Sequence, residues 1–389
     1  FGSLWVGSHP PPLRNHYQVL YLDFSRIGGN IDVLEKEFDS YCCIQLNDFI
    51  DTYRNDYPKE MVDEFLRAEN ATQKLNILLN MSRKYDQPLY LIIDEYDNFT
   101  NVVLSEHGEA IYHNMTHAAG FYREVFKKFK GMFERIFLTG VSPVTLDDLT
   151  SGFNIGWNIS MAPELDKMLG FSTEDVRQMF TYFKEAGQLP ADCDIEAMIA
   201  EMKPWYDNYC FAKECLESDV RVFNCDMVLY YLRNYISYKH SPEIMLDPNT
   251  KTDYKKLNML IQLDKLDGDR KGVIMEIIEK GEIAATLVPS FSANEMTDPE
   301  TFPSLLFYYG MLTIKGMRGS RLILGIPNNN VRKQYYNYIL NELSKHRTVN
   351  ISKLRDYFDL MSFDGKWREG LQYMADCYKQ LSSVRDSIE

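Results

Sequence analysis

The stretch Pro88 to Thr100, PLYLIIDEYDNFT, decides how the chain is read. Tyr90 to Ile93 run without polar alternation, as a parallel strand covered on both faces does. Asp94 and Glu95 follow at its carboxyl end, where open α/β sheets bind ligands. An apolar strand that runs into two carboxylates has the pattern of a Walker B strand. In such a strand the first carboxylate holds Mg²⁺, usually through water, and the second orients the water that attacks a γ-phosphate. The motif is short, and a strand that simply exits into a charged turn reads the same way.

Upstream, Gln18 to Phe24, QVLYLDF, predicts a first strand. A turn containing Gly28 and Gly29 follows, then a helix through Val33, Leu34, Phe38, Tyr41 and Ile44. Ile77, Leu78 and Met81 predict another helix, ending near Tyr85 before the Asp86-Gln87-Pro88 break. Downstream, the pattern from about Glu109 to Phe133 predicts a long helix. Its end carries the basic run Lys127 to Lys130, which complements a helix C-terminus as a solvated face. Arg135 to Thr139, RIFLT, predicts a third strand. Strands separated by helices imply right-handed crossovers, so these three are expected as parallel neighbours with Asp94 and Thr139 at the same edge. Thr139, beside Gly140 and Ser142, is then a candidate catalytic-site residue; its other reading is a capping hydroxyl in a turn.

The 389 residues, 45% hydrophobic and 25% charged, suit an ordinary globular protein of two or three domains. A net charge of −14 argues against a broad nucleic-acid-binding face, which needs clustered Lys and Arg. No apolar run is long enough for a transmembrane helix, so no membrane partner is expected. The chain opens at Phe1 without Met or a signal-type leader and reads as a piece of something longer. Its seven scattered cysteines, with Cys42 and Cys43 adjacent, suit thiols kept reduced in a cytoplasm. Cys193, Cys210, Cys215 and Cys225 lack a C-x-x-C knuckle, and His113 and His117 lack the Glu of H-E-x-x-H, so neither set predicts a metal site.

Beyond the third strand, Phe153 to Ser160 reads as a short closing strand. Ser172 and Asp175 have capping-box spacing ahead of the apolar stripe Val176, Met179, Phe180 and Phe183. Trp205, Tyr206 and Tyr209 form an aromatic block that either stacks on an adenine or packs a core. Asp253 to Asp269 reads as a charged link. Phe302 to Ile314 and Leu322 to Ile326 read as a helix and then a strand, and Asn350 to Ser387 as terminal helices.

The order of these motifs resembles the bacterial AAA-ATPase-like family. The segments that carry the resemblance are YLDFS (21–25), LIIDEYDNF (91–99), FLTGVSPV (137–144), MLGFSTEDV (168–176) and KPWYDNYCF (203–211). VFNCDMVLYYL (222–232), FPSLLFYYGMLTI (302–314) and LILGIPNNNVR (322–332) continue it over nearly the whole chain. The resemblance implies a P-loop NTPase core, a helical lid-like region and, in many members, a C-terminal nuclease domain of the PD-(D/E)XK type. It also implies ATP and Mg²⁺ as cofactors. Asp94 becomes the metal and cofactor-binding carboxylate, Glu95 and Thr139 the catalytic residues, and Trp205 and Tyr206 the adenine-side aromatics.

Two departures qualify what this chain does. No G-x-x-x-x-G-K-[ST] occurs in it: Gly365-Lys366-Trp367 lacks the upstream Gly and the hydroxyl residue. Glu276 to Lys280 contains no D…[DE]-x-K strand. The expected fold is therefore α/β: a P-loop NTPase-type parallel sheet with flanking helices but no phosphate loop in residues 1–165, a mostly helical lid in 166–300, and a small mixed unit with terminal helices in 301–389. The expected function is an AAA-like ATP-binding and hydrolysing switch of a larger protein. In that setting it controls a nuclease effector, meets nucleic acid only through that effector, and is compatible with homo-oligomers; the fragment alone is expected to be inactive. The competing class is a nucleotide-independent scaffold on an NTPase fold.

Overall fold

The computed structural model describes residues 2, 4–27, 33–98, 121–141, 157–218, 221–247, 270–292, 295, 298, 300–345 and 350–381. A single turn, α1 (Trp5–Ser8), precedes β1 (Gln18–Asp23), α2 (Leu34–Tyr53), α3 (Lys59–Arg67), α4 (Ala71–Tyr85), β2 (Leu89–Asp94), α5 (Phe121–Met132) and β3 (Arg135–Leu138). Then come α6 (Thr173–Glu185), α7 (Ile195–Tyr206), α8 (Cys225–Tyr238), α9 (Arg270–Lys280), β4 (Glu282–Ala285) and α10 (Phe302–Tyr308). β5 (Thr313–Arg318), β6 (Arg321–Gly325), α11 (Asn329–Lys345), α12 (Ile351–Asp364) and α13 (Trp367–Leu381) complete the order.

Local chemistry sets the approach to β2. Asn70 caps α4 by accepting from the Gln73 N–H, and Asp86 ends the helix at φ +53, just ahead of Pro88. The expected parallel sheet forms in the order β1-β2-β3, with Asp23 opposite Asp94 and Ile93 opposite Leu138. Leu20, Leu22, Leu89, Leu91 and Ile93 are buried in one core with Phe38 and Leu46 of α2, Leu75 and Leu78 of α4, and Phe126 and Phe129 of α5. Strand alternation sends Val19, Tyr21, Tyr90 and Ile92 to the other face. There Val19 is 38% and Tyr21 47% exposed, and Tyr90 and Ile92 are half-buried. The unbroken apolar run therefore overstated coverage: among the described residues, one face is packed tightly and the other is not. The outer edge of β1 is blunted by α2, because the N–H groups of Val19 and Asp23 donate to the hydroxyls of Tyr53 and Tyr41 at 3.0 and 2.7 Å.

A second core joins α6, α7 and α8 through Val176, Phe180, Met198, Met202, Val228 and Tyr231. The expected capping box is present at its start. Ser172 Oγ accepts from the Asp175 N–H at 3.2 Å, and Asp175 Oδ2 accepts from the Ser172 N–H at 2.8 Å. Ser172→Ala is expected to lower stability by about 1 kcal/mol in a urea titration, the usual cost of a lost N-cap. An unchanged midpoint would show that the cap contributes nothing.

The C-terminal half departs from expectation. β4, β6 and β5 form an antiparallel sheet in that order, with Gly319 at φ +64 opening the two-residue turn between β5 and β6. Neither β4 nor β5 was anticipated. EIAA is too short to show alternation, and TIKGMR carries Lys315 and Gly316 within a strand whose register shifts between Ile314 and Gly316. Residues 166–300, expected to be mostly helical, thus also contain β4, which pairs with β6 on the far side of residue 300. Leu305, Leu306, Ile314 and Leu324 further share the core of the parallel sheet.

The expected terminal helices are α12 and α13. Asn350 caps α12 by accepting from the Lys353 N–H at 3.0 Å, and Gly365 at φ +66 ends it. Residues 99–120, 142–156 and 253–269, with their parts of the expected long helix, closing strand and charged link, lie outside the described residues, as do His113, His117 and Ser142; residues 157–160 are described and are not strand. Among the described residues no helix is long and apolar enough to cross a membrane.

Candidate functional site

Three parallel strands deliver three side chains to one edge. β2 ends at Asp94 because Glu95 adopts φ +54, a left-handed conformation that a non-glycine residue takes at a cost. The Thr139 N–H continues the ladder by donating to the Ile93 carbonyl at 2.9 Å. This turns the Thr139 hydroxyl onto Asp94, where it donates to Oδ1 at 2.6 Å. From the other side, the Tyr21 hydroxyl donates to Asp94 Oδ2 at 3.2 Å. Burial and then the Asp94 charge raise the Tyr21 hydroxyl above its ordinary pKa, so it remains a donor.

Asp23, opposite Asp94, is held differently. Its Oδ1 accepts from the Ser25 N–H at 3.1 Å and from Ser25 Oγ at 2.6 Å, and its Oδ2 pairs with Arg26 Nε at 3.0 Å. Burial opposes ionisation, but the bonds from Ser25 and Arg26 outweigh it and hold the carboxyl below its usual value.

The turn after β2 is fixed from below. The Tyr96 N–H donates to the Thr139 carbonyl at 3.0 Å, and the Tyr96 carbonyl accepts from the Tyr122 hydroxyl. Asp97 is fully buried, and its Oδ1 accepts from the Val141 N–H at 3.1 Å. Gly140 lies against both residues: a Cβ there would fall 2.5 Å from Asp97 Oδ1 and 2.5 Å from the Tyr96 ring. The carboxyl end of β2 and the loop after β3 thus form one interlocked layer.

Asp94 and Thr139 meet at this edge, and Glu95 follows Asp94 directly in the chain. Trp205 and Tyr206 are not part of that group. Tyr206 is fully buried in the α6–α8 core, its hydroxyl donating to the Met245 carbonyl at 2.6 Å, and Trp205 packs on the same core. A ring enclosed in this way offers no open face to an adenine. Sequence reasoning missed Tyr21, Asp23, Asp97 and Gly140. The alternation of YLDF contained the signal for the first two, since Tyr21 and Asp23 share the face opposite buried Leu20 and Leu22.

The donor set at the edge is carboxylate and hydroxyl oxygen, the chemistry that suits Mg²⁺ rather than a soft metal. Among the described residues there is no group of three or more His, Cys, Asp or Glu that could hold a metal by itself. Cys42, Cys43, Cys193, Cys210, Cys215 and Cys225 are free thiols, and burial pushes the Cys210 thiol up to about 11, so it stays protonated at neutral pH.

Residues 1–150 match the family model described as "AAA-ATPase_like: Predicted AAA-ATPase". That span contains β1 to β3 and every residue of the edge; Trp205 and Tyr206 fall outside it. No curated protein and no solved structure matches the chain.

Proposed function

We propose that the edge formed by β1, β2 and β3 is the metal and water side of an ATP-binding and hydrolysing site, and that the protein works as an AAA-like switch. The observation that carries this reading is the Thr139 hydroxyl bound to Asp94 across adjacent parallel strands. It fixes a carboxylate at the strand end where α/β sheets bind ligands. The family match over residues 1–150 supports the same reading.

In this reading Asp94 holds Mg²⁺, Thr139 and Tyr21 orient its carboxylate, and Glu95 orients the attacking water. When bound, Mg²⁺ neutralises phosphate charge. Glu95 stands where the strand has ended, so its direction is not tied to that of Asp94 by alternation. Phosphate contacts of a Walker A loop are not supplied by any motif in these 389 residues, so the chain by itself should bind ATP weakly and not turn it over. A nuclease as the controlled effector rests on the family resemblance alone, and the free thiols favour a cytoplasmic setting.

The test is ATP binding with and without Mg²⁺, in the wild type, Asp94→Ala and Glu95→Gln. Asp94→Ala is expected to remove the Mg²⁺ dependence, and Glu95→Gln to leave binding intact. In a longer form carrying a phosphate-binding loop, Glu95→Gln should lower single-turnover hydrolysis at least about tenfold. Mg²⁺-ATP affinity indifferent to Asp94 would overturn the metal assignment. No affinity at all, even with that loop, would favour the nucleotide-independent scaffold. One observation speaks for the scaffold: both Asp94 oxygens already accept hydroxyl protons from the protein.

A further inference from the structure

Residues 301–340 stand apart from the rest of the chain in charge. They hold five cations, Lys315, Arg318, Arg321, Arg332 and Lys333, and no Asp or Glu, in a protein whose net charge is −14. All five are open to solvent, and among the described residues none of them makes an ion pair.

The fold gathers four of them into one tract. Arg318 and Arg321 lie directly opposite each other across the two-residue turn between β5 and β6, so their side chains leave the same face of the hairpin. Alternation along β6 puts Gly325 on that face too. The register shift between Ile314 and Gly316 lets Lys315 join it: a Cβ on Gly325 would fall 2.5 Å from Lys315 Cδ and 3.1 Å from Nζ, so the lysine stem lies across the glycine. Arg321 to Gly325 cover about 13 Å of strand. From there the tract passes to α11. Partial burial, and then the Arg332 charge, hold the Lys315 ammonium below its ordinary pKa, while Glu282, opposite Gly325 on β4, acts against them. One turn beyond Arg332 on the same side of α11, Tyr336 is 50% exposed.

This arrangement works against stability. Like charges directly opposite on neighbouring strands destabilise a hairpin, and the approach of Lys315 to Arg332 adds a second repulsion. Proteins keep such local conflicts mainly at functional sites, and here the ligand that relieves them is a polyanion. Two observations choose among polyanions. An acidic peptide docks by adding a strand to a sheet edge or by filling an apolar groove. The register shift interrupts the outer strand β5, and its first two residues are already bonded to Cys210. The open Tyr336 ring, by contrast, is a stacking surface that a nucleic-acid base uses and a chain of carboxylates does not. We propose that the β5–β6 hairpin and the first turns of α11 bind single-stranded nucleic acid, the cations following its phosphates and Tyr336 stacking on a base. The net charge of −14 argues against a broad nucleic-acid-binding face, not against a tract this short. The proposal is independent of the ATP-binding reading of the parallel sheet.

The experiment is fluorescence anisotropy of a labelled oligothymidylate of about 20 nucleotides, titrated with the full chain at about 50 mM salt. Binding is expected at or below about 100 μM, with log affinity falling against log salt at a slope of about −3, the value for four cations on a single strand. Arg318→Glu converts the like-charged pair into an opposite one, so it should weaken binding at least about tenfold without lowering the melting temperature. Tyr336→Ala should weaken binding at least about fivefold and leave the salt slope unchanged, because the ring carries no charge. Lys213→Ala, at an exposed cation outside the tract, should change neither affinity nor slope. No binding with about 100 μM chain overturns the proposal, as does binding indifferent to Arg318→Glu. Displacement by polyglutamate as effective as by unlabelled oligothymidylate would assign the tract to an acidic protein and overturn it too. So would tighter binding to the duplex formed with the complementary strand. If Tyr336→Ala lowers the melting temperature, Arg318→Glu and the salt slope decide.

Discussion

Gly140→Ala should destabilise the protein by about 2 kcal/mol, the range for forcing an extra methyl group into a packed site. The new Cβ would meet Asp97 Oδ1 and the Tyr96 ring at 2.5 Å, and neither is a flexible side-chain end free to swing aside. Asp97 is fully buried with its carboxylate on the Val141 N–H, while Tyr96 is 6% exposed and bonded through its backbone to Thr139 and Tyr122. Relief therefore requires breaking a buried hydrogen bond or moving the loop after β3. Either movement carries Thr139 with it and loosens its hold on Asp94. Guanidinium unfolding measures the stability loss, and Mg²⁺-dependent ATP binding measures the loss at the edge. An unchanged unfolding midpoint would show that the turn yields freely and that the layer is not interlocked.

The parallel sheet was legible because burial writes itself into composition: LYLIID and VLYL contain few alternatives to a strand, and crossover handedness then fixes which ends coincide. That argument placed Asp94 and Thr139 at the same edge, and the 2.6 Å hydrogen bond between them agrees with the placement. Asp97 and Gly140 were not legible in the same way. Their roles arise from a contact between the turn after β2 and the turn after β3, and no local pattern encodes a distance between two turns. Tyr206 illustrates the opposite difficulty. An aromatic residue at a helix end reads equally as ligand platform or core, and only the enclosing side chains show that it belongs to the α6–α8 core. The antiparallel sheet was hidden for a third reason, since β4 is four residues long and gains its stability from pairing with β6, far along the chain.

Asp166→Ala should cost about 3 kcal/mol, because it strips a carboxylate from two backbone N–H groups in a region with little water. Asp166 is 4% exposed, and its Oδ1 accepts from the Phe211 N–H at 2.7 Å and the Ala212 N–H at 2.8 Å. Those two residues adjoin Cys210, whose N–H donates to Thr313 Oγ1 at 2.8 Å and whose carbonyl accepts from the Ile314 N–H at 3.2 Å. One segment is thus held by Asp166 on one side and by β5 on the other. Just before it, Tyr209 exchanges backbone hydrogen bonds with Val222, next to Phe223 of the α6–α8 core. Removing the carboxylate should therefore free the point at which the helical core is tied to the antiparallel sheet. Asp166→Asn retains a carbonyl acceptor without the charge and should fall between the wild type and Asp166→Ala. Hydrogen exchange at Phe211 and Ala212 should speed up in step with the loss of stability. If Asp166→Ala costs under about 1 kcal/mol, water has replaced the carboxylate at both N–H groups. The tie would then rest on β5 alone.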